Sequence, residues 1–173
     1  MGDIAHVTAA GIAVPCPYCG RASSPDEPWV RHAQRAWGWC GFAVEQEQRT
    51  VAVLLLSPDL AGERALITTA WVEPAFARRG LGKRLVQAAC AGMVGRGVHT
   101  IVARANIGQP SCTRLPRAFL RRTGFVYLPD EHLWGLDVDA AVIDRPTLWE
   151  RVGRLGEALS PYGRPEPAAR QET

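Results

Sequence analysis

Trp71-Val-Glu-Pro-Ala-Phe-Ala-Arg-Arg-Gly-Leu-Gly-Lys-Arg-Leu-Val86 is the stretch that decides how this chain folds. An apolar strand ends at Val72, a short link follows, and a glycine-punctuated basic turn opens directly into a helix. Gly80 and Gly82 remove the side chains that would keep a ligand off the backbone. The amides of the helix's first turn have no partners within the helix and carry partial positive charge, which suits a phosphate group. Arg78, Arg79, Lys83 and Arg84 place four cations around the same turn. The chemistry implied is capture of a pyrophosphate. The plainer alternative is a strand-to-helix turn dressed with solvated arginines.

Working outward, Ala65 to Val72 reads as a largely buried strand. Beyond the turn, Leu81, Leu85, Ala89 and Met93 recur every four residues, as one buried helix face requires. Gly95 and Gly97 end that helix, and His99 to Ala105 reads as a second strand. Strand, helix and strand in this order make a crossover between parallel strands, with ligands expected beyond the carboxyl end of the first. Two other phosphate loops are excluded. Leu85 stands where Gly-x-Gly-x-x-Gly needs its last glycine, and Arg84 follows Lys83 where Gly-Lys-Ser/Thr needs a hydroxyl.

Val72-x-Pro74 followed by Arg78-Arg-Gly-Leu-Gly-Lys-Arg-Leu-Val86 resembles the coenzyme A signature of the GNAT superfamily of N-acetyltransferases, Gln/Arg-x-x-Gly-x-Gly/Ala. Asn106 closes the second strand, and Ala118-Phe-Leu-Arg-Arg-Thr-Gly-Phe125 is similar to the family's short helix ending in Gly-Phe. The resemblance spans about residues 40 to 138. The Leu-x-Thr-Thr-Ala-Trp-Val-x-Pro run and Cys112-Thr-Arg-Leu-Pro-x-x-Phe-Leu120 also resemble an actinobacterial subgroup of the family. The resemblance implies an α/β fold, a mixed and splayed central sheet of about six or seven strands flanked by helices. It implies acetyl-CoA as co-substrate and transfer of the acetyl group to a primary amine by direct attack in a ternary complex. The coenzyme's pyrophosphate is then expected on the backbone of Ala77, Arg78, Arg79, Gly80, Leu81, Gly82 and Lys83. Its pantetheine arm is expected along Ala70, Trp71 and Val72, with Asn106 near that arm and an N–H near Ala70 as oxyanion donor.

The chain departs from the family's pattern at three places. The leading Gln/Arg falls on Ala77, whose amide still offers a donor. The tyrosine often used as general acid falls on Leu120, and the glutamate used as base in the histone-modifying branch falls on Leu66. Cys112, beside Ser111, becomes the candidate proton donor to a leaving thiolate, with packing as its alternative. The vacant positions also motivate a second reading, a non-catalytic acyl-CoA-binding or regulatory module.

At 173 residues, with 47% apolar and 21% charged, the chain suits one domain with a real core. Twenty basic against 17 acidic residues leave +3, too mild to argue for nucleic acid. The longest aliphatic run, Val51 to Leu56, is far short of a membrane span. The opening Met-Gly-Asp-Ile-Ala-His has no basic region followed by a long apolar one, so no secretory signal is expected and a cytoplasmic protein is the default. The expected partners are acetyl-CoA and an amine acceptor, a small molecule or a protein amine, with no nucleic acid and no membrane.

Residues 1–24 read as an irregular opening segment and Ser24 to Trp37 as a helix, capped by Asp26 or Ser24, with Trp29, Ala33 and Ala36 on one face. Trp39 to Val44 and Thr50 to Ser57 read as strands, the second apolar on both faces and therefore central. Leu115 to Thr123 reads as a short helix. Phe125 to Leu128 and Leu133 to Val138 read as a hairpin. Thr147-x-x-Glu150 fits a capping box, and Leu148, Val152, Leu155 and Leu159 form a stripe that closes the core or pairs with a second subunit, a homodimer. The single domain is expected over residues 1–160, with a flexible tail over 161–173.

Cys16-Pro-Tyr-Cys19-Gly20 has the shape of one zinc-ribbon knuckle, yet tetrahedral zinc wants four ligands and no second Cys-x-x-Cys exists. His6, His32 or Cys40 would have to complete it. The same letters resemble the glutaredoxin redox motif, although Gly20 and Ser-Ser-Pro follow instead of a helix. A loop or core role is the third alternative. Arg114, Arg117 and Arg121 share a helix face with Arg122 beside them, either a solvated face or a recognition surface for an anion.

Overall fold

The computed structural model describes residues 2–106, 108 and 111–143. In chain order the elements are β1 (Asp3–Val7), α1 (Pro28–Trp37), β2 (Gly41–Gln46), β3 (Arg49–Pro58), β4 (Arg64–Val72) and α2 (Leu81–Met93). They continue as β5 (Thr100–Ala103), β6 (Ala105–Asn106), β7 (Leu115–Pro116), α3 (Arg117–Arg122), β8 (Val126–Leu128), β9 (Leu133–Asp137) and α4 (Val138–Ile143). A seven-stranded mixed sheet runs in the order β1-β2-β3-β4-β5-β9-β8, and β6 pairs with β7 apart from it.

The crossover that the sequence predicts is present. β4 leads through α2 into β5, and β4 and β5 pair in parallel. Leu81, Leu85, Ala89 and Met93 are all buried, joined by Val86 and Cys90. Fully burying a side chain of this size contributes about 1.5–3 kcal/mol, so this face holds α2 against the sheet. β3 is buried from Val51 to Leu56, as an inner strand covered on both faces must be. The β2–β3 turn narrows to Glu47 and Gln48, both in the left-handed region (φ 51° and 62°), which matches the twist of a two-residue hairpin.

What positions the site is a defect in β4. The β3–β4 register moves from Leu55↔Thr69 to Leu56↔Ile67, so Thr68 is an extra, unpaired residue. Such a bulge bends and twists its strand. β4 pairs with β5 only through Arg64, Ala65 and Leu66. From Ile67 on, the two parallel strands part, so the second half of β4 has no β5 partner along that edge. The closed end of the splay is pinned by Arg64, which bonds both Asp59 in the β3–β4 turn and Glu131 in the β8–β9 turn.

The opening segment differs from the reading as irregular. Asp3–Val7 adds an edge strand antiparallel to β2, and Ile12 and Cys16 are buried in the core. Helix α1 begins at Pro28 behind an extended Glu27. Its buried face is Val30, Ala33 and Trp37, while Ala36 is exposed and Trp29 half-buried. The register is set by Val30 and Trp37, because helix spacing from Ala33 reaches both with larger apolar area than Ala36 offers. Leu115 and Pro116 extend beside β6, so the short helix starts at Arg117. The capping box at Thr147, the stripe from Leu148 to Leu159 and the tail from Pro161 lie outside the described residues. No helix among the described residues is long and apolar enough to cross a membrane.

Candidate functional site

The parting of β4 from β5 opens a cleft of about 760 Å³. Ala70, Trp71 and Val72 form one side, and the turn residues Ala77, Arg78, Gly80, Leu81, Gly82 and Lys83 form its end. Leu115, Phe119, Arg122 and Thr123, around α3, close the opposite side. Tyr18, from a loop far away in sequence, also reaches in.

The turn is built for close approach to backbone. Gly80 adopts φ 78° and no side chain caps α2 there, so the first-turn amides keep their donors. Arg78 shares the left-handed region at φ 62°, where a side chain costs about 1–2 kcal/mol. Gly82 is needed for a different reason than ligand access alone. A Cβ there would stand 3.0 Å from Cε2 of Phe119, so the missing side chain lets the α3 ring close the cleft wall.

The four cations of the turn divide. Arg78 and Lys83 line the cleft, joined by Arg122 from α3, which the sequence offered only as part of a basic face. Arg79 instead stacks over the Phe76 ring, 5.2 Å from its centroid. Arg84 turns away and donates to the Gly2 carbonyl at 2.9 Å. Ala77 lines the cleft, but its amide donates to the Pro74 carbonyl at 3.2 Å and is not a spare donor.

The edge of β4 that parts from β5 is engaged within the chain. The Ala70 N–H donates to the Cys112 carbonyl at 2.7 Å, and the Tyr18 hydroxyl donates to the Val72 carbonyl at 2.8 Å. The expected oxyanion donor and one expected pairing acceptor therefore both have partners. Those partners come from the two cysteine-bearing loops. Cys19 and Cys112 bring their sulfurs to 3.5 Å, and Cys16 stands beside them. The backbone N–H of Arg21, and next the Cys112 thiol, hold the exposed Cys19 below the ordinary thiol range. Burial pushes Cys112 up to about 12, and the neighbouring Cys19 adds to it. A thiol that holds its proton so tightly is a poor donor to a leaving thiolate of ordinary basicity near 8.5.

His6 and Cys40, weighed as partners for the cysteine pair, are elsewhere. The His6 ring packs against Trp39 and Phe42, and Cys40 is buried with its thiol directed at the Val30 carbonyl. Burial pushes the Cys40 thiol up.

Asn106 lines a second cavity of about 450 Å³ rather than the larger cleft, together with Arg114, Arg117, Tyr127, His132 and Trp134. Its Oδ1 accepts the Gly108 N–H at 2.8 Å. There the β8–β9 hairpin brings the Tyr127 hydroxyl to 3.1 Å from His132 Nδ1. Sequence reading missed this pair. The signal was a tyrosine and a histidine flanking the Pro129-Asp-Glu turn, which would bring them together only if that hairpin closed. Leu120 is fully buried and Leu66 is half-buried, so neither position carries an acid or base. Glu73, the carboxylate nearest the turn, forms an ion pair with Arg49.

Residues 12–125 match the protein family described as the acetyltransferase (GNAT) family. Among solved structures, Ard1 from Thermoplasma volcanium is similar with a TM-score of 0.54 and 16% identity, over 78% of this chain and 94% of that one. GphF, described as a GNAT-like decarboxylase in complex with isobutyryl-CoA, is similar with a TM-score of 0.55 and 13% identity, over 79% of this chain and 99% of that one. At such identities the likeness is one of fold. A search of the curated proteins returns no match.

Proposed function

The chain belongs to the acetyltransferase (GNAT) family, and from that premise we propose that it is an N-acetyltransferase carrying an acetyl group from acetyl-CoA to a primary amine. The observation that carries this reading is the end of the cleft. A left-handed Gly80, uncapped amides of α2 and the cations Arg78, Lys83 and Arg122 converge where β4 stops. That donor set fits a diphosphate, whose charge is spread over oxygens that accept several N–H bonds at once. Ala70, Trp71 and Val72 line the cleft beyond it, where the extended arm would run.

Acetyl-CoA supplies an activated thioester, which a neutral amine attacks with release of the coenzyme's thiol. The chain's part is to hold and orient. The turn fixes the diphosphate, and the β4 edge aligns the arm, which makes the reaction effectively intramolecular. The Ala70 N–H becomes an oxyanion donor on parting from the Cys112 carbonyl, and one such donor is worth about 3 kcal/mol. With Leu120 and Leu66 at the acid and base positions and Cys112 holding its proton, proton transfer falls to water. The GphF neighbour carries a different reaction on this fold, so the activity is to be read from turnover.

The experiment is release of free coenzyme A thiol from acetyl-CoA with a panel of amino acids, polyamines, aminoglycosides and peptide N-termini and lysines. The reading expects amine-dependent thiol release with at least one class. Tight coenzyme binding without turnover across the panel would favour the second reading, a non-catalytic acyl-CoA-binding module. The engaged Ala70 N–H and Val72 carbonyl are the observations in its favour.

A further inference from the structure

We propose that Cys16, Cys19 and Cys112 form a thiolate site for zinc that clasps the loop around Tyr18 to the loop before β7. The three sulfurs lie within 4.8 Å of one another. Tetrahedral zinc with bonds of about 2.3 Å to sulfur spaces its thiolates about 3.8 Å apart. Cys19 and Cys112 at 3.5 Å are within a few tenths of an ångström of that spacing, and the pairs with Cys16, within 4.8 Å, reach it with shifts of about 1 Å or less.

The loop has the backbone of a metal knuckle as well as its letters. The Tyr18 N–H points at Cys16 Sγ, 3.5 Å away. The Tyr18 amide two residues on from Cys16 orients that sulfur, as outer-shell donors do around metal-bound thiolates. The turn is closed by Gly20 N–H to the Cys16 carbonyl at 2.8 Å and by Cys16 N–H to the Arg21 carbonyl at 2.8 Å, with Gly20 in the left-handed region. The Arg21 side chain adds positive charge beside a site that, as three thiolates around one divalent cation, carries a single negative charge. Cys112 arrives from 93 residues along the chain, held in place by its own carbonyl on Ala70.

Each thiol releases its proton to solvent as it binds, and no electron changes hands. Soft sulfur donors select zinc over calcium or magnesium. Among the described residues three protein ligands are present, and a tetrahedral zinc holds a fourth ligand such as water. The clasp has a consequence for the cleft, because the two loops it joins are the ones whose Tyr18 hydroxyl and Cys112 carbonyl sit on the edge of β4. The site stands on its own sulfur geometry, and the loop that carries Cys112 is the one that releases the Ala70 N–H in the proposed acyl transfer.

The test uses the full chain, reduced and stripped of metal, titrated with zinc and with cobalt(II) alone. One equivalent of cobalt is expected to give an intense thiolate-to-cobalt charge-transfer band and tetrahedral visible bands, both removed by one equivalent of zinc. Cys19 is exposed, so Cys19→Ser leaves the fold in place. That variant, and Cys112→Ser, are expected to weaken zinc binding by more than the roughly 10–100-fold that loss of an outer-shell partner costs. Cys90→Ser, on α2, is expected to bind as the parent does. No charge-transfer band in the reduced parent would overturn the site, as would unchanged zinc affinity in both Cys19→Ser and Cys112→Ser. So would a Cys19–Cys112 disulfide in air combined with no metal uptake after reduction, which would make the cluster a redox pair.

Discussion

The Tyr18 hydroxyl donates to the carbonyl oxygen of Val72 across 2.8 Å, joining two residues 54 apart in sequence at the open end of β4. This bond occupies an acceptor that an extended thioester arm would otherwise use. A neutral hydrogen bond is worth a net ~1 kcal/mol. Tyr18→Phe is therefore expected to tighten coenzyme A binding by about fivefold, measured by calorimetry. Weaker binding in the variant would mean that Tyr18 grips the coenzyme instead of competing with it.

Gly80 and Gly82 separate by mechanism. No atom lies within 4 Å of a Cβ at Gly80, so Gly80→Ala costs only the left-handed backbone, about 1–2 kcal/mol of stability in urea unfolding. Gly82→Val has a normal backbone but drives into Phe119. It is expected to cost about 1–3 kcal/mol by overpacking, and to weaken coenzyme A binding at least tenfold as the ring is pushed into the cleft. Unaltered binding by the Gly82 variant would contradict the assignment of this wall.

The basic residues of the turn make different predictions from one another. Lys83→Ala and Arg122→Ala each remove a cation from the cleft, and each is expected to weaken coenzyme A binding by about tenfold, or ~1.4 kcal/mol, more at low salt. Arg84→Ala is expected to leave that binding unchanged and to lower stability, because its guanidinium serves the Gly2 carbonyl. Calorimetry at two salt concentrations checks all three.

Asp59 supplies the pH dependence. Its partial burial works to raise its pKa, but the Arg64 backbone N–H and guanidinium outweigh that and hold it below the usual carboxylate range. A group depressed in the folded state contributes stability that is present above its unfolded pKa, near 3.9, and is lost as pH falls through the folded value. Asp59→Asn is therefore expected to destabilise by about 0.5–1 kcal/mol at pH 7, with the difference from the parent shrinking as pH drops below 4. A constant difference from pH 7 to pH 3 would show that the carboxylate charge is not what pins the splay.

The crossover was legible because its signals are local. A four-residue apolar period in α2, a glycine-marked turn and a doubly apolar β3 each follow from a short window of sequence. β1 was not legible, since three of its five residues are exposed and only pairing with β2 orders them. The turn's residues were readable as a group, but not where Arg79 and Arg84 would point, because Phe76 and the Gly2 carbonyl are tertiary neighbours. The same holds for the cysteines. Cys16-Pro-Tyr-Cys19 could be seen as a knuckle, yet nothing in its own spacing identifies Cys112 as the third sulfur. That contact depends on the Ala70–Cys112 backbone bond, and hence on the bulge at Thr68 that peels β4 from β5.

The most direct measurement is a calorimetric comparison of coenzyme A with pantetheine, which shares the thiol arm but lacks the diphosphate. The account predicts a clear heat of association for coenzyme A, weakened by Lys83→Ala, and at least tenfold weaker binding of pantetheine. No heat with coenzyme A, or equal affinity for the two, would contradict the claim that the turn from Ala77 to Lys83 holds a diphosphate.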